Sequence, residues 1–307
     1  MNNSTQKKYH KPLKDLTLLD RFLFDTAVSD PAICHNILSI ILENQEIPPL
    51  RIGISEYALE PYYDARSVRL DLLAFDDNDT VYNTEAQKEN KGYDVLCKRS
   101  RYYQAHIDVN LLEPGDIDFG KLNDIYVIFI SPFDLFGEQK YRYTFHMQCD
   151  EIPGLKLKDG ATRIFLNTHG QNPAEVPAEL VEFLKFAEDT PDAVFPYKSP
   201  RVKKLAHQID RIKKNQEVGV KYMQLWEEME YERRESRAEG KAEGKALNLI
   251  QLVRKKLKKN LEVQEIADLL EEDDTTILRI RNLISEYPDS PDDELAEIFC
   301  GHTSDQE

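Results

Sequence analysis

Two strand-like segments separated by four turn-forming residues constrain the fold of this chain more than any other feature. Residues 69–75 read Arg-Leu-Asp-Leu-Leu-Ala-Phe and residues 81–87 read Val-Tyr-Asn-Thr-Glu-Ala-Gln, with Asp76, Asp77, Asn78 and Asp79 between them. Strand formers bounded by a cluster of Asp and Asn are the pattern of an antiparallel hairpin. A turn centred on Asn78 places residues equidistant from it opposite each other. Asp71 then faces Glu85 and Arg69 faces Gln87, while Leu70, Leu72 and Ala74 face Ala86, Thr84 and Tyr82 on the other side. One face is polar toward its end and the other largely apolar, as a half-buried sheet requires.

Around the hairpin the pattern alternates between helix and strand. Asp30 before Pro31 is a good cap, and Ile33, Ile37, Ile40 and Ile41 follow at helical spacing. Leu18, Leu19, Phe22 and Leu23 predict a shorter preceding helix with Asp20 on its polar side. A helix is expected over 94–111. A strand buried on both faces is expected over 125–130, where the apolar run is unbroken. Further strands are expected over 141–147 and 163–167. Residues 1–190 therefore predict one α/β domain. Residues 191–235 read as a linker and helix, and 236–307 as a helical C-terminal region. In that region Ala238-Glu239-Gly240-Lys241 repeats as Ala242-Glu243-Gly244-Lys245, aligning Ser236, Gly240, Gly244 and Asn248 in a stripe of small residues. Each helical glycine costs about 1 kcal/mol relative to alanine. The stripe is either the seam for a partner helix or a frayed linker. Residues 263–284 predict helix, turn, helix, broken at Asp273 and Asp274.

The formal net charge of -16 is unevenly distributed. Residues 201–260 hold 17 Lys and Arg against 9 Asp and Glu, and 261–307 hold 2 against 15. An acidic first region lacks the broad basic face of a simple nucleic-acid binder, but suits a polyanion handled through bound metal. The acidic context also makes 263–284 a poor groove reader despite Arg279 and Arg281, and favours a regulatory or oligomerising role. Cysteines 34, 97, 149 and 300 show no paired spacing; they read as free thiols in a reducing compartment. No leader or long apolar run is evident, so a cytoplasmic protein without membrane association is expected.

Two opposed carboxylates at Asp71 and Glu85 would repel unless a cation lies between them. They are either solvated surface groups offset by a neighbour such as Arg69, or ligands of a hard divalent cation. In the second case Mg²⁺ or Mn²⁺ is the natural occupant, with the Ala86 carbonyl as a third oxygen ligand. His146 and Cys149 form one HxxC spacing that reads as a strand end, and His169 is given no role.

Several segments together resemble the PD-(D/E)XK nuclease family transposases, also described as recombination-promoting nucleases of the Rpn family. They are Asp20-Arg21-Phe22-Leu23-Phe24, Ser67-Val68-Arg69-Leu70-Asp71, Thr84-Glu85-Ala86-Gln87 and Lys98-Arg99-Ser100-Arg101-Tyr102-Tyr103. Ile128 through Asp134 and Phe165 through Gly170 continue the likeness, which runs from about residue 13 to 190. The resemblance implies a restriction-endonuclease-like αβββαβ core, with 50–57 supplying its first strand, followed by an all-helical C-terminal region. It further implies a metal-dependent DNA endonuclease associated with transposition or recombination. By position, Asp71 is the motif aspartate, Glu85 the second acidic residue, Gln87 the occupant of the usual lysine position, and Asp20 a helix-borne acidic residue.

A neutral amide at 87 orients water but supplies no charge. On this reading lysine at 87 retains or raises activity, and a catalytically weak DNA-binding or assembly module is the rival function. Lys98, Arg99 and Arg101 are expected to contact phosphates, the alternative being a solvated basic face tied by Asp94 to Lys98. A homodimer through residues 215–260 would bring two active sites to two strands.

Overall fold

The computed structural model describes residues 11–43, 47–52, 57–59, 68–111, 118–190 and 195–301. The first compact unit runs to Tyr222 and the second begins at Met223. In the first, helices α1 (Arg21–Val28) and α2 (Pro31–Ile41) precede strands β1 (Leu50–Ile52), β2 (Tyr57–Leu59), β3 (Val68–Leu70), β4 (Leu72–Asp76) and β5 (Val81–Ala86). Helix α3 (Tyr93–Leu111), strands β6 (Ile125–Ser131), β7 (Arg142–Phe145) and β8 (Ala161–Asn167), and helices α4 (Ala178–Asp189) and α5 (Pro200–Lys214) follow. Six strands form one sheet in the order β1-β4-β5-β6-β8-β7. β1, β4 and β5 are antiparallel neighbours, β5, β6 and β8 are parallel, and β7 returns antiparallel at the far edge. The run α2-β1-β4-β5-α3-β6 is the αβββαβ unit of a PD-(D/E)XK fold.

The hairpin register is the one the turn chemistry predicts. Leu72 faces Thr84, Leu73 faces Asn83 and Ala74 faces Tyr82. Asp76 terminates β4 because its Oδ1 accepts the N–H groups of Asn78 and Thr80, both at 2.9 Å, while the Tyr82 hydroxyl donates to its Oδ2 at 2.8 Å. Asp79 completes the turn at φ 61°, a left-handed conformation that aspartate tolerates better than most residues. At α2, Asp30 caps the Ala32 and Ile33 N–H groups, and Pro31 occupies the first turn, where its missing donor costs nothing.

Side chains alternate across β6, so both sheet faces are covered. Ile128 and Ile130 join Leu72, Ala74 and Leu166 beneath α1, α2, α4 and α5, whereas Val127 and Phe129 join Leu73, Val81 and Phe165 beneath α3. Helix α5 contributes Val202, Leu205, Ala206 and Ile209 to the first core. The compact unit thus extends past residue 190, where the composition changes.

Three expectations differ from what is observed. The strand expected over 69–75 is interrupted at Asp71, and β3 pairs with β2 as a separate ribbon, so Arg69 faces Ala58 instead of Gln87 and Leu70 faces Tyr57 instead of Ala86. A bend frees Asp71 from the ladder and lets its side chain turn toward β5. The first strand expected over 50–57 is limited to β1, with Tyr57 starting β2; residues 53–56 lie outside the described residues. Helix α1 begins at Arg21, so Asp20 stands ahead of it at the cap position.

The second unit takes in the later part of α6 (Gln216–Leu257), a continuous helix that carries the glycine repeat. Helices α7 (Val263–Leu270), α8 (Asp274–Glu286) and α9 (Asp292–Cys300) follow, with Asp273 capping the Thr276 N–H at 2.7 Å. Ile250, Val253, Ile266, Ile277, Ile280 and Leu295 form its own core. Among the described residues no helix is long and apolar enough to cross a membrane.

Replacing Asp76 by Ala orphans two backbone N–H groups and the Tyr82 hydroxyl, so urea unfolding should show a loss of about 2–3 kcal/mol. Asp77→Ala, at the exposed neighbouring position, should stay within about 0.5 kcal/mol of wild type.

Candidate active site

Period-two alternation along β5 directs Asn83 and Glu85 to the α3 face of the sheet, and Gln87 continues the series just past the strand. All three are buried, Glu85 to 1 % exposure. Asp71, at the bend on the neighbouring strand, is 9 % exposed. The two acidic residues are joined through the backbone: the Asp71 N–H donates to Glu85 Oε1 at 3.0 Å, and the Ala86 N–H donates to Asp71 Oδ2 at 3.1 Å. The N–H of Gln87 points the other way, to the Ile130 carbonyl at 2.8 Å. Because a strand residue directs its N–H and C=O to the same side, the Ala86 carbonyl opens toward Asp71.

Glu85 is further held by Asn83 Nδ2, which donates at 3.0 Å and also bonds the Leu72 carbonyl at 3.0 Å. Burial, then the neighbouring Asp71 charge, pushes the Glu85 carboxyl well above the ordinary carboxylate range, against the opposing pull of Asn83 and Arg99.

Arg99 reaches in from α3. Its Nη1 donates to Gln87 Oε1 at 2.8 Å and its Nη2 approaches Glu85 Oε2 at 3.3 Å. Its Nε bonds the Tyr103 hydroxyl, and the guanidinium carbon lies 4.8 Å from the Tyr103 ring centroid. The other end of the Gln87 amide donates to the Glu89 carbonyl. Gln87 is therefore engaged at both ends. Lys98 and Arg101 are exposed on other faces of α3, so the three basic residues expected to act together are split, with Arg99 alone turned to the acidic pair.

Asp20 does not join the carboxylate pair. It is bonded by Lys88 and by Lys11 at 2.6 Å, and its Oδ2 accepts the Thr17 N–H at 2.7 Å. Although burial opposes ionisation, the lysine and backbone hydrogen bonds win and hold its carboxyl below the usual range. Arg21, the first residue of α1, stands 4.0 Å from Asp71 Oδ1. Among the described residues, no three His, Cys, Asp or Glu side chains gather as a metal cluster, and His169 pairs with Glu188 at 2.6 Å.

Asn83, Arg21 and Lys88 were not among the residues expected at the site. Asn83 could have been found from its place two residues before Glu85 on the same strand face; nothing local marks Arg21 or Lys88.

A six-stranded sheet with helices on both faces, carrying a Glu on one strand and an Asp at the bend before its neighbour, beside a basic helix, defines a nuclease-like core. The family model for PD-(D/E)XK nuclease family transposases matches residues 21–236, and the chain belongs to that family. No curated protein and no solved structure matches the chain.

Since the Asp20 carboxyl is held low, its contribution to stability is present above the ordinary value of 3.8 and lost as pH falls through the lower folded value. Asp20→Asn should lower stability by about 1 kcal/mol at pH 7, the partner lysines being half exposed. The gap should narrow in urea titrations as the pH is taken below 3.8; a gap independent of pH would assign the loss to packing.

Proposed function

We propose that this chain is a divalent-metal-dependent DNA endonuclease that hydrolyses phosphodiester bonds in transposition or recombination, acting in the cytoplasm. The observation that carries the reading is the buried acidic pair, Asp71 and Glu85, joined through the Asp71 and Ala86 N–H groups. Burial and mutual repulsion leave Glu85 poorly compensated in spite of Asn83 and Arg99, which is the setting a cation relieves. Mg²⁺ or Mn²⁺ fits the donor set, because hard cations take oxygen ligands and Mg²⁺ is commonly held by one or two carboxylates plus water and phosphate. Asp71, Glu85 and Ala86 would hold the metal, which when bound acidifies a water and offsets charge on the phosphate.

The remaining chemistry falls to the chain. Arg99 supplies the positive charge that a lysine at position 87 would otherwise bring, aimed at the negative charge that builds on a phosphate under attack. Gln87, fastened between Arg99 and Glu89, is a positioning residue that holds the guanidinium in place. Asn83 and the Asp71 N–H fix the Glu85 carboxylate so that Oε2 faces Arg99. Lys98 and Arg101, exposed on α3, contact the flanking phosphates. Asp20 ties Lys88, the residue after Gln87, to the start of α1. In the homodimer we propose, α6 carries the pairing, since Gly240 and Gly244 have nothing within 4 Å of where a Cβ would stand.

Asp71→Asn and Glu85→Gln should each abolish Mg²⁺-dependent cleavage of supercoiled plasmid with the circular dichroism spectrum retained; unchanged cleavage in either, or wild-type cleavage in excess chelator, would overturn the assignment. Arg99→Met should reduce the rate about 100-fold. Gln87→Lys alone brings a second cation to the place where Arg99 now bonds at 2.8 Å, and so should lower activity. Gln87→Lys with Arg99→Gln should recover part of it. This reverses the simple expectation for lysine at 87, and greater activity in the single variant would return the charge to that position. For the dimer, light scattering of the wild type should give twice the 35.7 kDa chain mass; a monomer would remove it.

A further inference from the structure

Beyond the acidic pair, α3 forms the wall of a second feature. A cavity of about 280 Å³ lies between α3 and strands β7 and β8, walled by the rings of Tyr93, Phe136, Phe145 and Phe165 and edged by Asp159 and Arg163. Phe136 packs against Phe145 and Phe165 with centroids 5.0 and 5.2 Å apart. Arg163 donates to Gln104 Oε1 at 2.7 Å and leaves its buried Nε without a partner among the described residues. Tyr93 and Phe145, each packed on Phe136 on one side, are 56 % and 43 % exposed at the rim.

The contents of this cavity define what it can take. Its volume falls just short of the range for drug-sized ligands, and suits a single planar ring system. The rings offer stacking surfaces, and Arg163 and Asp159 in the lining offer a donor and an acceptor. A nucleobase carries both, and extruded bases are held in this manner, stacked on aromatic side chains and bonded along the Watson–Crick edge.

Its position matters as well. Glu85, Phe129 and Phe165 are consecutive partners across β5, β6 and β8, so all three stand in one row on the α3 face. Two strand spacings, about 10 Å, separate Glu85 from Phe165, a span of at most about three nucleotides, since 3.4 Å is the shortest, fully stacked rise.

From this geometry we infer that the cavity between α3, β7 and β8 binds an unstacked nucleobase of the DNA strand, within about three nucleotides of the scissile phosphate. The inference rests on the endonuclease reading for the identity of the strand. It makes a single-stranded or locally unpaired substrate the preferred one, because the base then enters without the cost of unstacking a duplex.

The test uses the full chain and single-stranded oligonucleotides in chelator, so that cleavage plays no part. 5-Iodouracil, which presents both a donor and an acceptor, is placed at successive positions; irradiation should cross-link one to three adjacent positions to peptides containing Tyr93 or Phe145. Phe145→Ala should weaken binding of the intact strand about tenfold, in line with the loss of one base–aromatic stack. It should leave unchanged the binding of a strand made abasic at the cross-linking position. Tyr93→Ala, at the exposed start of α3, provides the same comparison without altering the edge strand. Cross-links that reach neither residue from any position, or equal losses on intact and abasic strands, would overturn the inference. A protein that cleaves through Asp71 without cross-linking here loses the base site alone. One that cross-links here but never cleaves with Mg²⁺ or Mn²⁺ loses the nuclease reading alone.

Discussion

The acidic site of the first unit is organised around one buried side chain, the carboxyl of Glu85. A carboxylate taken out of water is costly unless it is bonded and offset by opposite charge. Here the compensation comes from three directions: the Asp71 N–H across the hairpin, Asn83 on the same strand, and Arg99 from α3. None of these is adjacent to Glu85 in sequence. The approach of Asp71 keeps the compensation incomplete. A site left short of positive charge suits the divalent cation proposed above, and it is maintained against stability by the well-packed sheet beneath it.

The cation beside the pair arrives on a helix and not on the strand. A lysine at the position of Gln87 would be positioned by the strand alone, whereas Arg99 depends on the seating of α3 through Leu96, Tyr103 and Ile107. Tyr103 both bonds Arg99 and stacks on Phe129, which in turn stacks on Phe165. The aromatic row beneath α3 therefore links the placement of Arg99 to the walls of the cavity beyond it. Charge is carried by a planar fork that Gln87 can grip, which is a narrower arrangement than a flexible ammonium provides.

The second unit has a separate core, and its chemistry differs from that of the first. The basic stretch 201–260 runs through α5 and α6, while α7, α8 and α9 lie in the strongly acidic remainder. A broad acidic surface repels a polyanion, so under the nuclease reading proposed above the terminal helices are the part of the chain least suited to meet DNA.

The local rules of the sequence determined the hairpin register, the cap at Asp30, the doubly buried β6 and the helix break at Asp273. They succeed because period-two alternation, turn-forming Asp and Asn, and side-chain caps act over a few residues and are little altered by distant packing. The pairing of Asp71 with Glu85 was legible for the same reason. Only the tertiary structure decided that the chain bends at Asp71 and sends β3 to a separate ribbon, that Asp20 binds lysines ahead of α1, and that Arg99 turns inward while Lys98 and Arg101 remain outside. One helical face looks much like another in a basic segment such as 98–101. Which of its charges is buried depends on how α3 sits on the sheet, and that is set by long-range contacts among Tyr103, Phe129 and Phe165 that no local pattern encodes.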